Sequence, residues 1–325
     1  VYPFFIMVAL SFTSDVDMHD YRLVPKYFYS EEMLYRKYVT EKYKNTLNKS
    51  LVKDYNDVHG TVVLTPAELE VKKYDLDDAS VKTRISDWYA FKKTLSMSYK
   101  TAAFNYREWE DVTPRTRKLY HGFLKKKYGD DIKKINSLYS EENQLYSRLR
   151  TPVDKATQRQ ALVDDSQKAK DWLEFKAALP EHMTYVFSGE ALYHDFLKIR
   201  FKSEIGDLNA EFGTNYADFK EVPLRERMPK GGEQARWAAF VKKAWPVMYM
   251  KVDDREARAY RKYLKEVHKE IQVLNLVYGT SYKDFKDVIF QPEPKSNSEM
   301  ADWSDFIENK ADAANIVLLS PETEY

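Results

Sequence analysis

The chain of 325 residues has no cysteine, few glycines and prolines, and only 6 histidines. Without cysteine it has no disulfides, thiolate metal ligands or cysteine nucleophiles. The absence of disulfides does not indicate the cellular compartment, because an extracytoplasmic protein can fold without them. It has no glycine-rich phosphate loop, and its histidines lack the spacing of zinc-binding helices. The paired carboxylates Asp164-Asp165 and Asp253-Asp254 stand beside predicted helix starts, where capping explains them. We therefore expect no metal, no cofactor and no catalytic residue.

Neither sign of charge is in excess. The 52 Lys and Arg residues balance 51 Asp and Glu residues, which leaves a formal charge of +1. This balance implies no bulk attraction to nucleic acid or to an anionic membrane. Basic runs such as Lys125-Lys126-Lys127 have acidic residues beside them, and we interpret them as solvated helix faces.

Aromatic residues are plentiful, and most of them occupy a pattern that repeats. The pattern reads Asp/Arg-Trp-x-x-Phe, then Tyr-x-x-Phe/Tyr-Leu, then Leu-Asn-x-x-Phe/Tyr-Gly-Thr-x-Tyr. Trp172 and Trp237 are 65 residues apart, and Trp237 and Trp303 are 66 apart. A fixed period of this kind indicates copies of one supersecondary unit. The repeat positions are Trp88, Trp172, Trp237 and Trp303, Asn136, Asn209 and Asn275, and Gly129, Gly213 and Gly279.

Each copy predicts three short helices. In the first, Trp and Phe at i and i+3 share one face, and Pro180 or Pro246 ends the helix. The second begins at Ser188 or Asp253, whose side chains can accept hydrogen bonds from free backbone N–H groups. Its Tyr, Phe and Leu positions supply a buried stripe.

The third helix of each copy carries the recurring asparagine. It is predicted over residues 205–212 and 271–278, and it is closed by Gly213 or Gly279 in the left-handed conformation that follows many helix ends. We expect the asparagine amide to satisfy the backbone of the following loop and not to bind a ligand.

The predicted fold class is mainly α, with tandem helical repeats of about 65 residues and few or no short strands. Val62 to Leu64 and Ile316 to Leu319 are the candidate strands. The predicted organisation is an apolar segment at 1–12, a connecting region with a degenerate half-repeat at 13–86, repeats at 87–165, 166–230 and 231–298, and a truncated repeat at 299–325.

The first residues, Val1 to Phe12, form an uncharged apolar run. The run is too short to span a bilayer, which needs about twenty residues. It also lacks the initiating Met, basic segment and cleavage site of a signal peptide. We interpret it as the C-terminal part of a transmembrane helix whose first half lies upstream. A buried segment of a globular core is the alternative.

The N-terminal segment resembles a family of membrane proteins. Pro3-Phe4-Phe5-x-Met7, followed by Ser11-Phe12-Thr13-Ser14, is similar to the end of the first membrane helix of sugar-type ABC transporter permeases, although Thr13 stands where a lysine is common. Asp17 to Tyr29 resembles permeases that carry a large insertion here, and such insertions contain Trp-x-x-Phe and Leu-Asn-x-x-Tyr-Gly-Thr-x-Tyr repeats.

The resemblance implies a non-enzymatic domain on the extracytoplasmic side of the bacterial inner membrane. It would act in carbohydrate uptake as a scaffold or docking surface for the sugar or its binding protein. The implied partners are a second permease subunit, an extracytoplasmic sugar-binding protein and, through regions outside this chain, a cytoplasmic ATPase. Nucleic acid is not among them, and the membrane contact is the N-terminal segment.

Two other classes of protein stay open. The tract from Tyr260 to Thr280 is similar to a short helical element of family-42-type β-galactosidases, which are TIM-barrel enzymes. Such a carbohydrate-active enzyme would need two glutamates about 5 Å apart in one cleft, and the sequence has no Asn-Glu dipeptide. A free-standing helical-repeat interaction protein is the other alternative, and it would pack Val1 to Phe12 into the soluble body.

Two tryptophans fall outside the repeat positions. Trp109 and Trp245 are weak candidates for stacking on a sugar ring, since an aromatic face can carry a sugar. Local packing is the alternative for both side chains.

Overall fold

The computed structural model describes residues 24–43, 77–102, 114–154, 156–289 and 294–324. Within these ranges the protein is mainly α-helical, with four short strands. The apolar run Val1 to Phe12, the candidate strand Val62 to Leu64, and Trp109 lie outside the described residues. A search of the described helices finds none with the length and apolar character needed to cross a membrane.

The chain divides into two compact units. Unit 1 comprises residues 1–154 and 167–186. Its two strands pair antiparallel, with Lys100 opposite Val186 and Thr101 opposite Tyr185. Its elements are α1 (Glu31–Tyr43), α2 (Ala79–Thr94), β1 (Lys100–Thr101), α3 (Pro114–Tyr128), α4 (Ile132–Tyr139), α5 (Gln167–Ala178) and β2 (Tyr185–Val186).

Unit 2 comprises residues 155–166 and 187–325. Its strands also pair antiparallel, with Met250 opposite Leu318, which confirms the predicted strand at Ile316. Its elements are α6 (Gly189–Arg200), α7 (Ile205–Phe212), α8 (Gln234–Lys243), β3 (Met250–Val252), α9 (Asp254–His268), α10 (Ile271–Tyr278), α11 (Asn297–Asn309), β4 (Ile316–Leu318) and α12 (Pro321–Glu324).

The repeated motifs form three helix triplets, which are α3–α4–α5, α6–α7–α8 and α9–α10–α11. Each has a tyrosine helix, an asparagine helix and a tryptophan helix, in that order. The tryptophan helix packs on the tyrosine helix before it, so that the Tyr120 and Trp172 rings are 5.1 Å apart, edge to face. The Tyr260 and Trp303 rings are also 5.1 Å apart and edge to face. Such pairs stabilise a core beyond the area that they bury.

The helix ends follow the local sequence signals. The Ser188 hydroxyl accepts a hydrogen bond from the Ala191 N–H at 3.1 Å and begins α6. Asp253 begins α9 in the same way, accepting from the Glu256 N–H at 2.9 Å. The asparagine helices α7 and α10 have the predicted bounds, and both end at a glycine in the left-handed conformation.

The packed triplets begin at a different point of the sequence pattern from the predicted repeats. The predicted repeats run from one tryptophan to the next. The boundary between the units falls between Val186 and Phe187, inside the predicted repeat at 166–230. The reason is that each tryptophan helix packs on the tyrosine helix that precedes it. A packed triplet therefore begins at a tyrosine helix and ends at a tryptophan helix.

Gly129 is not equivalent to Gly213 and Gly279, as the sequence pattern had implied. It follows the tyrosine helix α3 with φ of 86°, in the place that Lys269 takes after α9 with φ of 64°. The residue that ends the asparagine helix of the first triplet in the left-handed conformation is Ser140, with φ of 55°. The Tyr128-Gly129 pair therefore lies at the end of the tyrosine helix, whereas the Phe212-Gly213 and Tyr278-Gly279 pairs lie at the ends of asparagine helices.

Trp88 also differs from the other repeat tryptophans. Its side chain is 39% exposed, whereas Trp237 is fully buried. The helix α2 is fixed instead through Lys92, whose Nζ donates to the backbone carbonyls of Glu181 and Thr184. Trp88 belongs to the repeated motif, but its ring does not lie in a core.

Candidate functional site

The recurring asparagines close the loop after each asparagine helix. The Asn209 Nδ2 donates to the Tyr216 carbonyl at 2.9 Å, and its Oδ1 accepts from the Tyr216 N–H at 2.9 Å. Asn275 makes the same pair of bonds with Tyr282, each at 2.8 Å. Asn136 bonds the backbone of Asn143 likewise. Both ends of these amides are engaged with backbone, as the sequence predicts.

The three buried tryptophans of the repeat positions each donate their indole N–H to an oxygen at 2.9 Å. Trp172 donates to the Asp154 carboxylate, whereas Trp237 and Trp303 donate to backbone carbonyls. Because an unpaired buried N–H costs about 1–3 kcal/mol, these partners are part of the fold. The indoles are not available to a ligand.

A further recurring contact was missed in the sequence pattern. The residue after the core tyrosine is basic in every triplet, and it donates to a buried backbone carbonyl about 28 residues later. The ring of His121 donates to Leu149, the ring of His194 to Val222, and the guanidinium of Arg261 to Val288. The signal was present as a Tyr-His or Tyr-Arg pair.

Asp171, just before Trp172, accepts the densest set of hydrogen bonds in the first triplet. Its carboxylate is buried and accepts from the Tyr139 hydroxyl at 2.6 Å and from the Lys127 ammonium at 2.9 Å. The Tyr128 hydroxyl and the Gln167 amide also donate to it. Burial alone would raise the pKa of Asp171, but these hydrogen bonds outweigh it and hold the pKa below its ordinary value.

Asp302 holds the equivalent position in the third triplet. Its Oδ2 accepts from the Tyr278 hydroxyl at 2.8 Å and lies 2.6 Å from His268 Nε2. Burial raises the pKa of Tyr278 well above its usual range, so the phenol stays protonated and acts as the donor. The tyrosine is therefore a structural donor.

The second triplet has the opposite charge at this position. Arg236 binds Glu211 through two parallel hydrogen bonds, one of them 2.9 Å from Nη2 to Oε2. The guanidinium also lies 5.6 Å from the centre of the Phe201 ring. Its hydrogen bond lowers the pKa of Glu211 below the ordinary value. Both side chains are partly exposed, unlike Asp171.

Buried lysines in unit 1 and a half-buried arginine in unit 2 hold loop carbonyls. Lys176 donates to the Lys100 carbonyl at 3.0 Å and to Asp154 at 2.7 Å. Burial lowers the pKa of Lys92 to about 8. In unit 2, Arg159 donates to the carbonyls of residues 241, 242 and 245, and burial lowers its pKa to about 10. These contacts tie the ends of the tryptophan helices.

Trp245 is not a sugar platform. The side chain is fully buried, its indole N–H donates to the Tyr249 carbonyl at 2.8 Å, and its ring packs edge-on against Phe240. The other side of the ring fits against Gly189, where a Cβ would lie only 2.7 Å from a ring carbon. Local packing therefore explains this residue, and the sugar-stacking expectation for it is wrong.

One pair of neighbouring glutamates lies at the start of α6. The Ser188 hydroxyl donates to Glu322 at 2.8 Å, and the Glu190 N–H points at the same oxygen at 3.4 Å. Burial, and then the nearby Glu322 carboxylate, raise the pKa of Glu190. Both glutamates sit in the first turn of a helix, where a negative charge is favourable. Their contacts are those of helix capping.

An open groove of about 530 Å³ follows α8 in unit 2. Its floor is made of small alanine side chains, and Lys242, Lys243 and Asp312 border it. Small-molecule sites usually enclose most of their ligand, which an open groove cannot do. The groove is therefore a weak site for a small molecule.

The surface of α10 is unusual among the asparagine helices. Leu276 is 85% exposed, and Val273 and Val277 are each more than 40% exposed. These positions, at i, i+3 and i+4, lie on one side of the helix. At the same positions α7 carries Asp207, Ala210 and Glu211. We refer to Val273, Leu276 and Val277 as the α10 face.

No protein-family model, curated protein or solved structure matches the chain.

Proposed function

We propose that the chain is the extracytoplasmic scaffold of an ABC transporter permease for carbohydrate uptake, and that the α10 face docks the sugar-binding protein. The permease part of this proposal is supported by the N-terminal and repeat resemblance. The observation that carries the docking part is the exposed apolar side of α10, the helix whose counterpart α7 is polar at the same positions.

The hydrogen bonding of the triplets supports a role as scaffold. The recurring Trp, Asn and Asp side chains all have partners inside their own triplet or unit. A residue that satisfies a buried backbone group or carboxylate stabilises the fold and is not presented to a ligand. The recurrence of these residues is therefore explained by architecture, and contact with a partner falls to surfaces that differ between copies.

The α10 face has the composition of a protein interface core. Fully buried interface centres are apolar and depleted of charge, and polar residues surround them. The α10 face is apolar, and the exposed Lys269, Glu270 and Gln272 precede it in the chain. The neighbouring charges have both signs, which favours contact by shape with a folded protein. Because α7 folds with Asp207 and Ala210 at two of these positions, folding of a triplet does not require apolar residues there.

The test places two α7 residues and a neutral glutamine on α10 in the full-length permease. The variant Val273→Asp, Leu276→Ala, Val277→Gln should bind the sugar-binding protein about tenfold more weakly, since truncating interface anchors costs 1 kcal/mol or more. Site-specific cross-linking and sugar uptake measure the loss. The thermal midpoint of the purified chain should change little.

A matched control places the same glutamine on another triplet. Leu138 on α4 occupies the position of Val277 and is 41% exposed. Leu138→Gln should leave binding and uptake unchanged. Equal losses in both variants, or no loss from the α10 triple variant, would show that the α10 face is not the docking surface.

The extracytoplasmic location has a separate test, which uses the absence of cysteine from this chain. Ser281, which is exposed, is replaced by cysteine in the full-length protein. A membrane-impermeant maleimide should label this variant in intact spheroplasts above the level of the unchanged protein. Labelling that requires lysis would place the repeats in the cytoplasm and overturn the permease proposal.

A further inference from the structure

The tyrosine helices α3 and α9 each carry four exposed cations on one side. Positions three, four, seven and eleven residues apart fall on the same face of a helix, so the cations form a stripe on each helix. We call these the basic stripes. The α3 stripe is Arg115, Lys118, Lys125 and Lys126, and the α9 stripe is Arg255, Arg258, Lys262 and Lys265.

The two stripes occupy corresponding places. When α3 and α9 are aligned on Tyr120 and Tyr260, three of the four cationic positions coincide. One stripe lies in each unit, so the feature recurs independently in two compact bodies. Tyr120 and Tyr260 are 140 residues apart, and one other tyrosine helix, α6, lies between them in the chain.

The tyrosine helix α6 lacks the stripe. Its residues at the three shared positions are Ser188, Ala191 and Lys198. Part of this side of α6 is covered by α12, as the hydrogen bond from Ser188 to Glu322 shows. Cations therefore accumulate on the two tyrosine helices whose outer sides are exposed, and not on the helix whose outer side packs against the chain.

The stripes keep most of their charge despite two ion pairs. Lys125 lies 2.7 Å from Asp130, and Lys262 lies 3.9 Å from Glu266. All four side chains are exposed, and exposed pairs of this kind are weak and are screened by salt. The stripes extend about 15–17 Å along their helices, at ~1.5 Å per residue.

The chemistry of the stripes fits a surface of phosphate groups. On these helices Tyr120, Tyr260 and Tyr263 are buried, so their rings cannot stack on nucleic-acid bases, and the Tyr128 hydroxyl is held by Asp171. The stripes also lack an exposed aromatic anchor of the kind that dominates protein interfaces. What is left is a row of flexible point charges, which suits phospholipid headgroups spread over a plane.

We propose that the two basic stripes bind the surface of an anionic phospholipid bilayer. Each cation near such a surface contributes about fivefold to binding, and the effect decays within a Debye length. The inference rests on the function proposed above only for the nearness of a bilayer. Vesicles supply that bilayer in the test, so the two proposals can fail separately.

The test measures co-sedimentation of the full chain with vesicles of phosphatidylcholine, with and without 40% phosphatidylglycerol. The expected result is at least tenfold stronger binding to the anionic vesicles, lost in 0.5 M salt. A variant with all eight stripe cations changed to Gln should lose at least tenfold of the binding to anionic vesicles. The apolar N-terminal run is present in every sample, so its own partitioning cancels.

The control removes exposed cations from other places. The variant Lys220→Gln, Lys230→Gln, Lys283→Gln, Lys286→Gln is compared with a variant lacking only the α9 stripe, because both lose four charges. The stripe variant should bind more weakly than the control by at least fivefold. Equal weakening would mean that only net charge matters, and would overturn the proposal.

Two further results would also overturn it. One is equal binding to neutral and anionic vesicles. The other is stripe-dependent binding to a double-stranded oligonucleotide or to an acidic protein without binding to anionic vesicles. The α10 triple variant should bind vesicles normally, whatever its effect on uptake.

Discussion

In the first and second helix triplets, residues of opposite charge on the tryptophan helix bind the end of the asparagine helix. In the first, a buried Asp171 precedes the core tryptophan and accepts from Tyr139 at the end of the asparagine helix. In the second, Arg236 precedes the tryptophan and binds Glu211 at the end of the asparagine helix. The third triplet repeats the acidic arrangement with Asp302 and Tyr278.

The residue before the tryptophan and its partner at the end of the asparagine helix therefore differ together from one triplet to another. Where the residue before tryptophan is Asp, the asparagine helix ends in a tyrosine that can donate. Where it is Arg, that helix ends in Glu211 and Phe212, and the glutamate supplies the acceptors. The helix packing is kept because a hydrogen-bonding pair spans the same gap in both cases.

The largest effect is expected when Asp171 is removed. Asp171→Ala leaves the half-buried Tyr139 and Gln167 without an acceptor that is itself buried, and should destabilise unit 1 by about 3 kcal/mol, as when one partner of a buried pair is lost. Arg236→Ala should cost only about 0.5–1 kcal/mol because its ion pair is partly exposed. Hydrogen exchange, resolved by peptide, measures each triplet in its own unit.

Glu174→Ala serves as the control for the first of these variants. Glu174 also contacts Lys127, but its side chain is exposed, so the loss should be below 1 kcal/mol. If Asp171→Ala and Arg236→Ala have equal effects, the contrast between the buried and the exposed arrangement is wrong.

A smaller effect is expected in acid. The pKa of Asp171 in the folded chain is below the ordinary value of 3.8, so its ionised form stabilises the fold above pH 4. This contribution is lost as the pH falls below 3.8 and through the folded pKa. Asp171→Asn should unfold with a flatter pH dependence below pH 4, measured by circular dichroism in urea.

Salt distinguishes the two arrangements in the same experiment. Glu211 also has a lowered pKa, and its stabilising effect should be lost below its ordinary value of 4.5. Because the Arg236–Glu211 pair is partly exposed, salt screens it. We therefore expect 1 M salt to remove most of the pH dependence of stability that is due to Glu211, which is the part that the Glu211→Gln variant lacks. The dependence due to buried Asp171 should persist. Equal sensitivity to salt would contradict the difference in burial.

The smallest effect concerns the ends of the asparagine helices. Ser140 adopts φ of 55°, where a non-glycine residue is strained, and Gly213 adopts φ of 71°. Ser140→Gly should stabilise the first triplet by about 1 kcal/mol, and Gly213→Ala should destabilise the second by about 1 kcal/mol. Urea unfolding of each variant tests both signs. If both variants change the free energy of unfolding in the same direction, strain in the left-handed conformation does not determine stability at these two positions.

Much of the local structure could be predicted from the sequence. The bounds of α7 and α10, the caps at Ser188 and Asp253, and the mainly α fold class are confirmed. These features depend on neighbouring residues, because helix propensity, capping hydroxyls and left-handed glycines act within a few positions. The permease assignment, the partners and the location stay predictions.

The sugar-stacking prediction for Trp245 failed because a tryptophan outside a motif can still be core. Its burial depends on Phe240 and on Gly189, which is distant in the sequence. The charge balance was also an incomplete guide. A net charge of +1 averages over the chain, whereas the basic stripes arise only when the helices show which cations share an exposed side.

The helices of the clearest copies, their caps and the recurrence of one unit could be predicted from the sequence, because those properties follow from local chemistry and a fixed period. The packed structure was needed to show which tyrosine helix each tryptophan helix packs against, which aspartate is buried, and which apolar and basic faces remain exposed. Those outcomes depend on contacts between residues far apart in the chain. A motif shared by Trp88 and Trp237 therefore leaves one ring at the surface and the other in the core.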